Sequence, residues 1–235
     1  MNIRKTIRVG MVTAIAMSVI MTACLDDDSN NGIQDIPVSY VSLYNASPNA
    51  PGLNILVDSR QINNEPLRYA DNTGYLRFYT GKRTLAFGPY GASNITLDTV
   101  VNLEDNKPYS IFVVDNFEHA EALVLTDTSV TAPGTGKAMI RFVNLSPDAG
   151  ALALKVKDGE ESLTGEESFK DATQFAEIDA KTYNLEVTGS GEAATSLNVP
   201  NVSLDEGTYY TIVVRGYKTP PAGNTNVLSA GTIRH

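Results

Sequence analysis

Apolar and polar residues alternate in short runs along most of this chain, and the period is two. In Tyr75-Leu76-Arg77-Phe78-Tyr79, Leu76 and Phe78 fall on one face while Tyr75, Arg77 and Tyr79 share the other, which is strand spacing. The pattern predicts strands at about 38–45, 53–58, 75–79, 84–87, 95–103, 109–115 and 122–126. It predicts them again at 138–144, 152–157, 174–177, 182–187, 196–204, 209–215 and 227–233. Turn pairs such as Asp158-Gly159 and Glu206-Gly207 separate the runs. Seven short runs in each half, with no helical period over ten or more residues, point to an all-β fold of antiparallel β-sandwiches. The acidic stretch 159–173 reads as an exposed loop or a short edge hairpin. One segment breaks the alternation: residues 9–21 are almost continuously apolar.

The two halves are copies. Val41-Ser42-Leu43-Tyr44-Asn45-Ala46-Ser47-Pro48-Asn49-Ala50 aligns with Ile140-Arg141-Phe142-Val143-Asn144-Leu145-Ser146-Pro147-Asp148-Ala149. Tyr109-Ser110-Ile111-Phe112-Val113 aligns with Tyr210-Thr211-Ile212-Val213-Val214 at nearly the same offset. A repeat of this length is a small globular module rather than a solenoid turn. The resulting division is 1–23 leader, 24–37 tether, 38–130 first sandwich, 131–137 linker and 138–235 second sandwich.

The apolar segment completes a signal peptide. Arg4, Lys5 and Arg8 precede it and the small residues Thr22 and Ala23 follow, an arrangement typical of exported chains. It is shorter than the roughly 20 residues a spanning helix needs. Met21-Thr22-Ala23-Cys24 resembles a bacterial lipobox, and Cys24 is the chain's one cysteine. The resemblance implies cleavage before Cys24, a diacylglycerol on its sulfur and acylation of the new amino terminus, so that the membrane is engaged through acyl chains. Residues 25–37, rich in Asp and Asn, have little to bury and read as a tether. Asp26-Asp27-Asp28 directly after the cysteine resembles the Bacteroidetes-type signal that sends lipoproteins to the outer face of the outer membrane; the alternative is the periplasmic leaflet. Asp27, Ser29, Asn31 and Gly32 match the opening of a calcium loop, but its twelfth position is Val38 where a bidentate acid belongs.

Loss of the leader leaves 15 of the 18 basic residues against 27 acidic ones, a net charge of −12. Such a surface repels phosphate backbones, which argues against nucleic acid as a partner. With one cysteine there is no internal disulfide, and stability rests on apolar burial.

The Asn-x-Ser-Pro-x-Ala turn, the Leu53–Asp58 strand, Gly81-Lys82-Arg83-Thr84-Leu85 and the closing Tyr109-Ser110-Ile111-Phe112-Val113-Val114 resemble the domain-of-unknown-function family 4397, whose pattern R-V-x-N-A-S-P-D-A-P recurs in tandem in exported bacterial proteins. The first copy departs with Ser42 and Asn49; the second restores Arg141 and Asp148 but has Gly150 in place of the second proline. The resemblance implies two tandem immunoglobulin-like sandwiches and an extracytoplasmic location, and it carries no activity. Pro48 and Pro147 are expected to stop a strand while Ser47 and Ser146 bond nearby backbone; a polar ligand site around Asn45 and Asn144 is the other reading. The sequons at Asn45, Asn94 and Asn144 are coincidental in a chain with a bacterial leader.

Catalytic chemistry finds little support. His119 and His235, the two histidines, are far apart and read as surface residues, with no metal-ligand spacing and no Gly-x-Ser-x-Gly elbow. Gly81-Lys82 lacks the rest of a phosphate loop. No metal, cofactor or catalytic residue is assigned, and the expected function is non-enzymatic: a surface binding, adhesion or spacer module whose partner is another envelope protein. The competing reading is a carbohydrate-binding lipoprotein for nutrient uptake, or a periplasmic scaffold. Tyr75, Arg77 and Tyr79 are the candidate ligand contacts, because same-face tyrosines can stack on a ligand; Tyr40 and Tyr44 have the same spacing. Zero tryptophan weakens the glycan reading.

Overall fold

The computed structural model describes residues 36–129, 131–159, 162–190 and 195–235. The leader, Cys24 and the acidic triplet lie outside the described residues. The first copy contributes β1 (Val38–Asn45), β2 (Leu53–Val57), β3 (Arg60–Gln61), β4 (Asn72–Tyr79), β5 (Gly81–Pro89), β6 (Leu97–Leu103), β7 (Pro108–Val114) and β8 (Glu121–Thr126). The second contributes β9 (Lys137–Asn144), β10 (Leu152–Val156), β11 (Ala176–Asp179), β12 (Thr182–Gly189), β13 (Thr195–Ser203), β14 (Tyr209–Arg215) and β15 (Ser229–Arg234). The described structure is all-β, apart from one 3₁₀ turn at Phe117–His119.

Four sheets form two β-sandwich-like units. In the first, sheet β4-β1-β7-β8 faces sheet β3-β2-β5-β6; in the second, β11-β9-β14-β15 faces β10-β12-β13. Each pair closes on its own core. Val41, Leu43, Ile111 and Val113 meet Leu53, Ile55, Leu85 and Phe87 in one. Phe142, Ile212 and Val214 meet Leu152, Leu154, Leu185 and Val187 in the other. Alternation sends these residues inward, and each buried side chain of this size stabilises the fold by about 1.5–3 kcal/mol relative to exposure.

The expectation of antiparallel sandwiches needs one correction. β1 pairs with β7 in parallel, from Tyr40↔Pro108 to Asn45↔Val113, and β9 pairs with β14 in parallel, from Tyr209↔Met139 to Val214↔Asn144. A parallel neighbour requires a long crossover, and the strands of the facing sheet supply it. Alternation reports which face is buried but not strand direction.

These parallel strands are buried on both faces. A third core joins Tyr44, Phe112 and Val114 of the first unit to Val143, Val213 and Ile233 of the second, so the β1 and β9 sheets pack on each other. Residues Ile36–His235 accordingly form one compact unit. At the loop end, Asn224 Nδ2 donates to the Pro48 carbonyl at 3.0 Å, and at the flank Lys170 Nζ meets Glu121 at 2.8 Å.

The repeated turn works structurally in both copies. Asn45 and Asn144 are fully buried. Asn45 Nδ2 donates to the Leu67 carbonyl and its Oδ1 accepts from Ser47 N; Asn144 bonds Gly150 O, Glu167 O and Ser146 N in the same way. Each side chain closes the turn and holds the loop that leads to the next strand.

Candidate functional site

Two polar constellations stand out, one sealed and one open. The sealed one lies between the units, on the faces of β4, β7, β9 and β14 that meet there. Asp127, one residue past β8, has a fully buried carboxylate, and the Arg141 guanidinium is 3% exposed. Arg141 Nη2 donates to Asp127 Oδ1. Arg141 Nε donates to Thr211 Oγ1 at 2.8 Å, and Nη1 donates to the Thr126 carbonyl at 3.1 Å. Thr211 Oγ1 lies 2.7 Å from His235 Nε2, and His235 Nδ1 lies 2.8 Å from the Tyr75 hydroxyl. That hydroxyl donates to Asp127 Oδ2 at 2.7 Å, as does Ser110 Oγ at 2.7 Å.

One assignment of protons satisfies every member. Arg141 donates to Thr211, Thr211 to His235 Nε2, His235 Nδ1 to Tyr75 and Tyr75 to Asp127, which accepts from Arg141 and closes the ring. The ring requires a neutral imidazole, and burial, the largest cause, pushes His235 down to about 4, with Asp127 opposing and Arg141 adding to the shift. Burial likewise raises the Tyr75 hydroxyl, reinforced by the Asp127 charge. Arg141 also lies over the Phe175 ring at 4.6 Å. The Thr-His-Asp order superficially suits nucleophilic catalysis, but Thr211 and Asp127 are wholly buried and His235 is 6% exposed, which leaves a reacting group no approach. His235 is therefore not the surface residue its sequence position suggests, whereas His119 is exposed.

The open constellation lies at the edge of the first unit, where β3 and β4 are edge strands of the two facing sheets. Asp58, Arg60, Ile62, Arg77, Tyr79 and Arg83 line a groove of about 570 Å³, a size suited to a small ligand, for which roughly 300–1,000 Å³ is usual. Tyr79 is 61% exposed and Ile62 39%. Arg83 is committed to the wall: it pairs with Asp58 Oδ2 at 2.9 Å and donates to the Tyr79 and Thr80 carbonyls at 3.0 and 2.8 Å. The Arg83 hydrogen bond holds the Asp58 carboxyl below its usual range, with help from the Thr84 amide. Arg60 and Arg77 are exposed, and neither side chain forms a hydrogen bond or ion pair within the structure as described.

The candidates chosen from same-face spacing thus part company. Arg77 and Tyr79 come together in the groove, while Tyr75 turns its hydroxyl into the sealed ring. Tyr44 is buried between the units. Asp58, Arg60, Ile62 and Arg83 were missed because they join Arg77 only through the stacking of two sheets. Among the described residues no cluster of His, Cys, Asp and Glu is arranged to hold a metal.

The copies differ at this edge. In the first unit Val38 faces Tyr79 and Tyr40 faces Arg77 across β1 and β4; in the second, Lys137 faces Asp179 and Met139 faces Glu177. Duplicated positions therefore carry cation and ring in one copy and two acids in the other. The acids are used internally: Asp179 pairs with Lys137 at 2.8 Å and Glu177 accepts from Gly134 N at 2.7 Å.

No curated protein matches the chain. Among solved structures, a family 26 carbohydrate-binding module of Eubacterium rectale Amy13K, crystallised with maltoheptaose, is 12% identical, with 79% of this chain and 99% of that one covered at a TM-score of 0.28. An α-glucan-binding streptococcal virulence factor is 13% identical, with 74% and 92% covered at 0.22. A family 41 carbohydrate-binding module from streptococcal virulence factors, solved for its α-glucan recognition, is 13% identical, with 78% and 95% covered at 0.22. Residues 39–155 match the family model described as Domain of unknown function (DUF4397), which supports the family resemblance carried by the Asn-x-Ser-Pro-x-Ala turn and its flanking strands.

Proposed function

We propose that this protein is a non-enzymatic binding module of the bacterial cell envelope, tethered through a lipid on Cys24 to the outer membrane and facing the cell exterior. Its two immunoglobulin-like sandwiches act as one rigid body, and the β3–β4 groove of the first is its contact site. The observation that carries this reading is the groove itself. Two unpaired guanidiniums and an exposed tyrosine ring line it together on a chain whose acidic residues outnumber its basic ones. Exposed aromatic and arginine side chains concentrate binding energy where they meet a partner, and in this structure they have no partner of their own. The rest supports presentation: a shared core and a closed polar ring hold the two sandwiches, and with them the groove, as one body.

The test is site-specific photocrosslinking on intact cells. A photoreactive phenylalanine analogue at Tyr79 should label one discrete partner, and the same group at Val100, which is 62% exposed on β6, should not. Equal labelling from both positions, or none from Tyr79, would refute the groove as the contact site. Protease added to intact cells should degrade the protein; protection until lysis would place it on the inner face.

A further inference from the structure

Resting on the reading of the β3–β4 groove as the contact site, we infer that its ligand is an acidic saccharide, a pyranose bearing a carboxylate or a sulfate. The groove supplies three kinds of group that such a ligand uses together. Arg60 and Arg77 are exposed and unpaired, and a planar guanidinium matches a carboxylate or sulfate through two parallel hydrogen bonds. Tyr79, 61% exposed, offers a flat apolar face to the C–H face of a sugar ring. Asp58 accepts from Arg83 and from Thr84 N, and a carboxylate with about four acceptor positions retains capacity for sugar hydroxyls.

The charge distribution restricts the ligand further. Arg60, Arg77 and Arg83 are three of the seven arginines after Cys24, and they sit in one groove of a chain with net charge −9. A local cationic groove on an anionic body draws an acidic substituent into the groove itself, because interactions beyond about 10 Å are screened while the groove's own are short. The duplicated edge on the second unit carries Glu177 and Asp179 at the equivalent positions, so the site is single and asymmetric.

An acidic peptide is the competing anion, and the edge is built against it. Peptides bind an open strand edge by adding a strand through main-chain hydrogen bonds. At this end of β4 the Tyr79 and Thr80 carbonyls already accept from Arg83, so an added strand would find them occupied. Recognition here falls to side chains, which suits a saccharide.

The experiment is calorimetric titration of the detergent-solubilised full-length protein with polygalacturonate, dextran sulfate, neutral dextran and poly-aspartate. Saturable binding of polygalacturonate or dextran sulfate is expected, the preferred one identifying carboxylate or sulfate as the substituent read. Arg77→Glu should weaken it about tenfold or more, as loss of a charge-assisted contact does, and Tyr79→Ala by about three- to tenfold. Lys82→Glu, an exposed cation on β5 outside the groove, should leave it unchanged, which separates the site from net charge. Unaltered melting curves for these exposed substitutions confirm intact folding. Neutral dextran binding that depends on Tyr79 but not Arg77 would overturn the acidic specificity and leave the groove as the contact site. Polyanion binding indifferent to Arg77→Glu and Tyr79→Ala would overturn both. Arg77-dependent binding of poly-aspartate as tight as that of the saccharides, or binding of no probe, would overturn the saccharide.

Discussion

Replacing Asp127 by alanine should destabilise the protein by about 3–5 kcal/mol, the cost of stranding one partner of a buried ion pair. Asp127 is fully buried and receives Arg141, Ser110 and Tyr75. Its loss leaves the Arg141 guanidinium, 3% exposed, with Thr211 and a carbonyl but no countercharge. It also leaves two hydroxyls without their acceptor. At about 1.4 kcal/mol per decade, the unfolding equilibrium moves by two to more than three orders of magnitude, a large share of the 5–15 kcal/mol a folded protein has in total. The chain has no tryptophan, so urea unfolding is followed by far-ultraviolet circular dichroism and tyrosine fluorescence. The double variant D127L/R141M removes both charges and fills the space with apolar atoms, and it should recover most of the loss, short of the wild type by about 1–3 kcal/mol because Ser110 and Tyr75 still lack the acceptor. A single-variant loss under 1 kcal/mol, or a double variant as unstable as D127A, would refute the closed ring as a dry, mutually dependent unit.

Acidification should act through His235. Its folded-state pKa of about 4 lies below the ordinary 6.5, so the unfolded chain binds the proton more readily; stability is full above about pH 6.5 and falls as the pH drops toward 4, by up to about 3 kcal/mol. Melting temperatures measured between pH 4 and 7 should show this slope, and His235→Gln should flatten it. Gly216→Ala should cost about 1–3 kcal/mol, because φ is +87° and the new Cβ would stand 2.3 Å from the Val227 carbonyl oxygen; a neutral effect in denaturant titration would count against that geometry. Phe112→Ala, emptying the core shared by the units, should cost about 3–5 kcal/mol, read the same way. Cys24→Ala should move the protein from the membrane to the soluble fraction, and continued retention would overturn the lipid anchor.

The period-two pattern located the strands well. β1 and β14 have the ends read from the sequence, since a strand with one face in the core must alternate. β3 escaped, because two residues have no period, and with it escaped the wall of the groove. The interface was half legible. Ile111-Phe112-Val113-Val114 does not alternate, and it is buried on both faces, yet an unbroken apolar run names no covering partner. The ion pair was not legible at all: Asp127 follows β8 in a stretch that reads as the approach to a linker, and no spacing rule ties it to Arg141. Arg77 and Tyr79 were found by shared face alone, and that rule placed Tyr75 beside them although another sheet covers it.

The duplication explains why the ring is built from unlike residues. The two copies meet through equivalent faces, so equivalent positions approach the same place from both sides. By register, Ser42 corresponds to Arg141, Ser110 to Thr211, and Tyr75 to Phe175. Asp127 corresponds to His235, since Asp127 N bonds Pro108 O just as His235 N bonds Tyr209 O. Had both copies kept arginine at the first position, two guanidiniums would enter one buried site that holds a single carboxylate. Had both kept aspartate at the last, two carboxylates would face each other with one cation. Divergence to Ser42 against Arg141 and Asp127 against His235 gives one cation, one anion and a neutral relay, which closes only when a first copy meets a second. A first copy paired with another first copy brings two Asp127 carboxylates and no Arg141. The same faces that let the duplicated units recognise each other therefore penalise like-with-like association, as like charges out of water do. That asymmetry runs on to the outer edge, where Arg77 and Tyr79 of the first copy stand at the positions of Glu177 and Asp179 in the second.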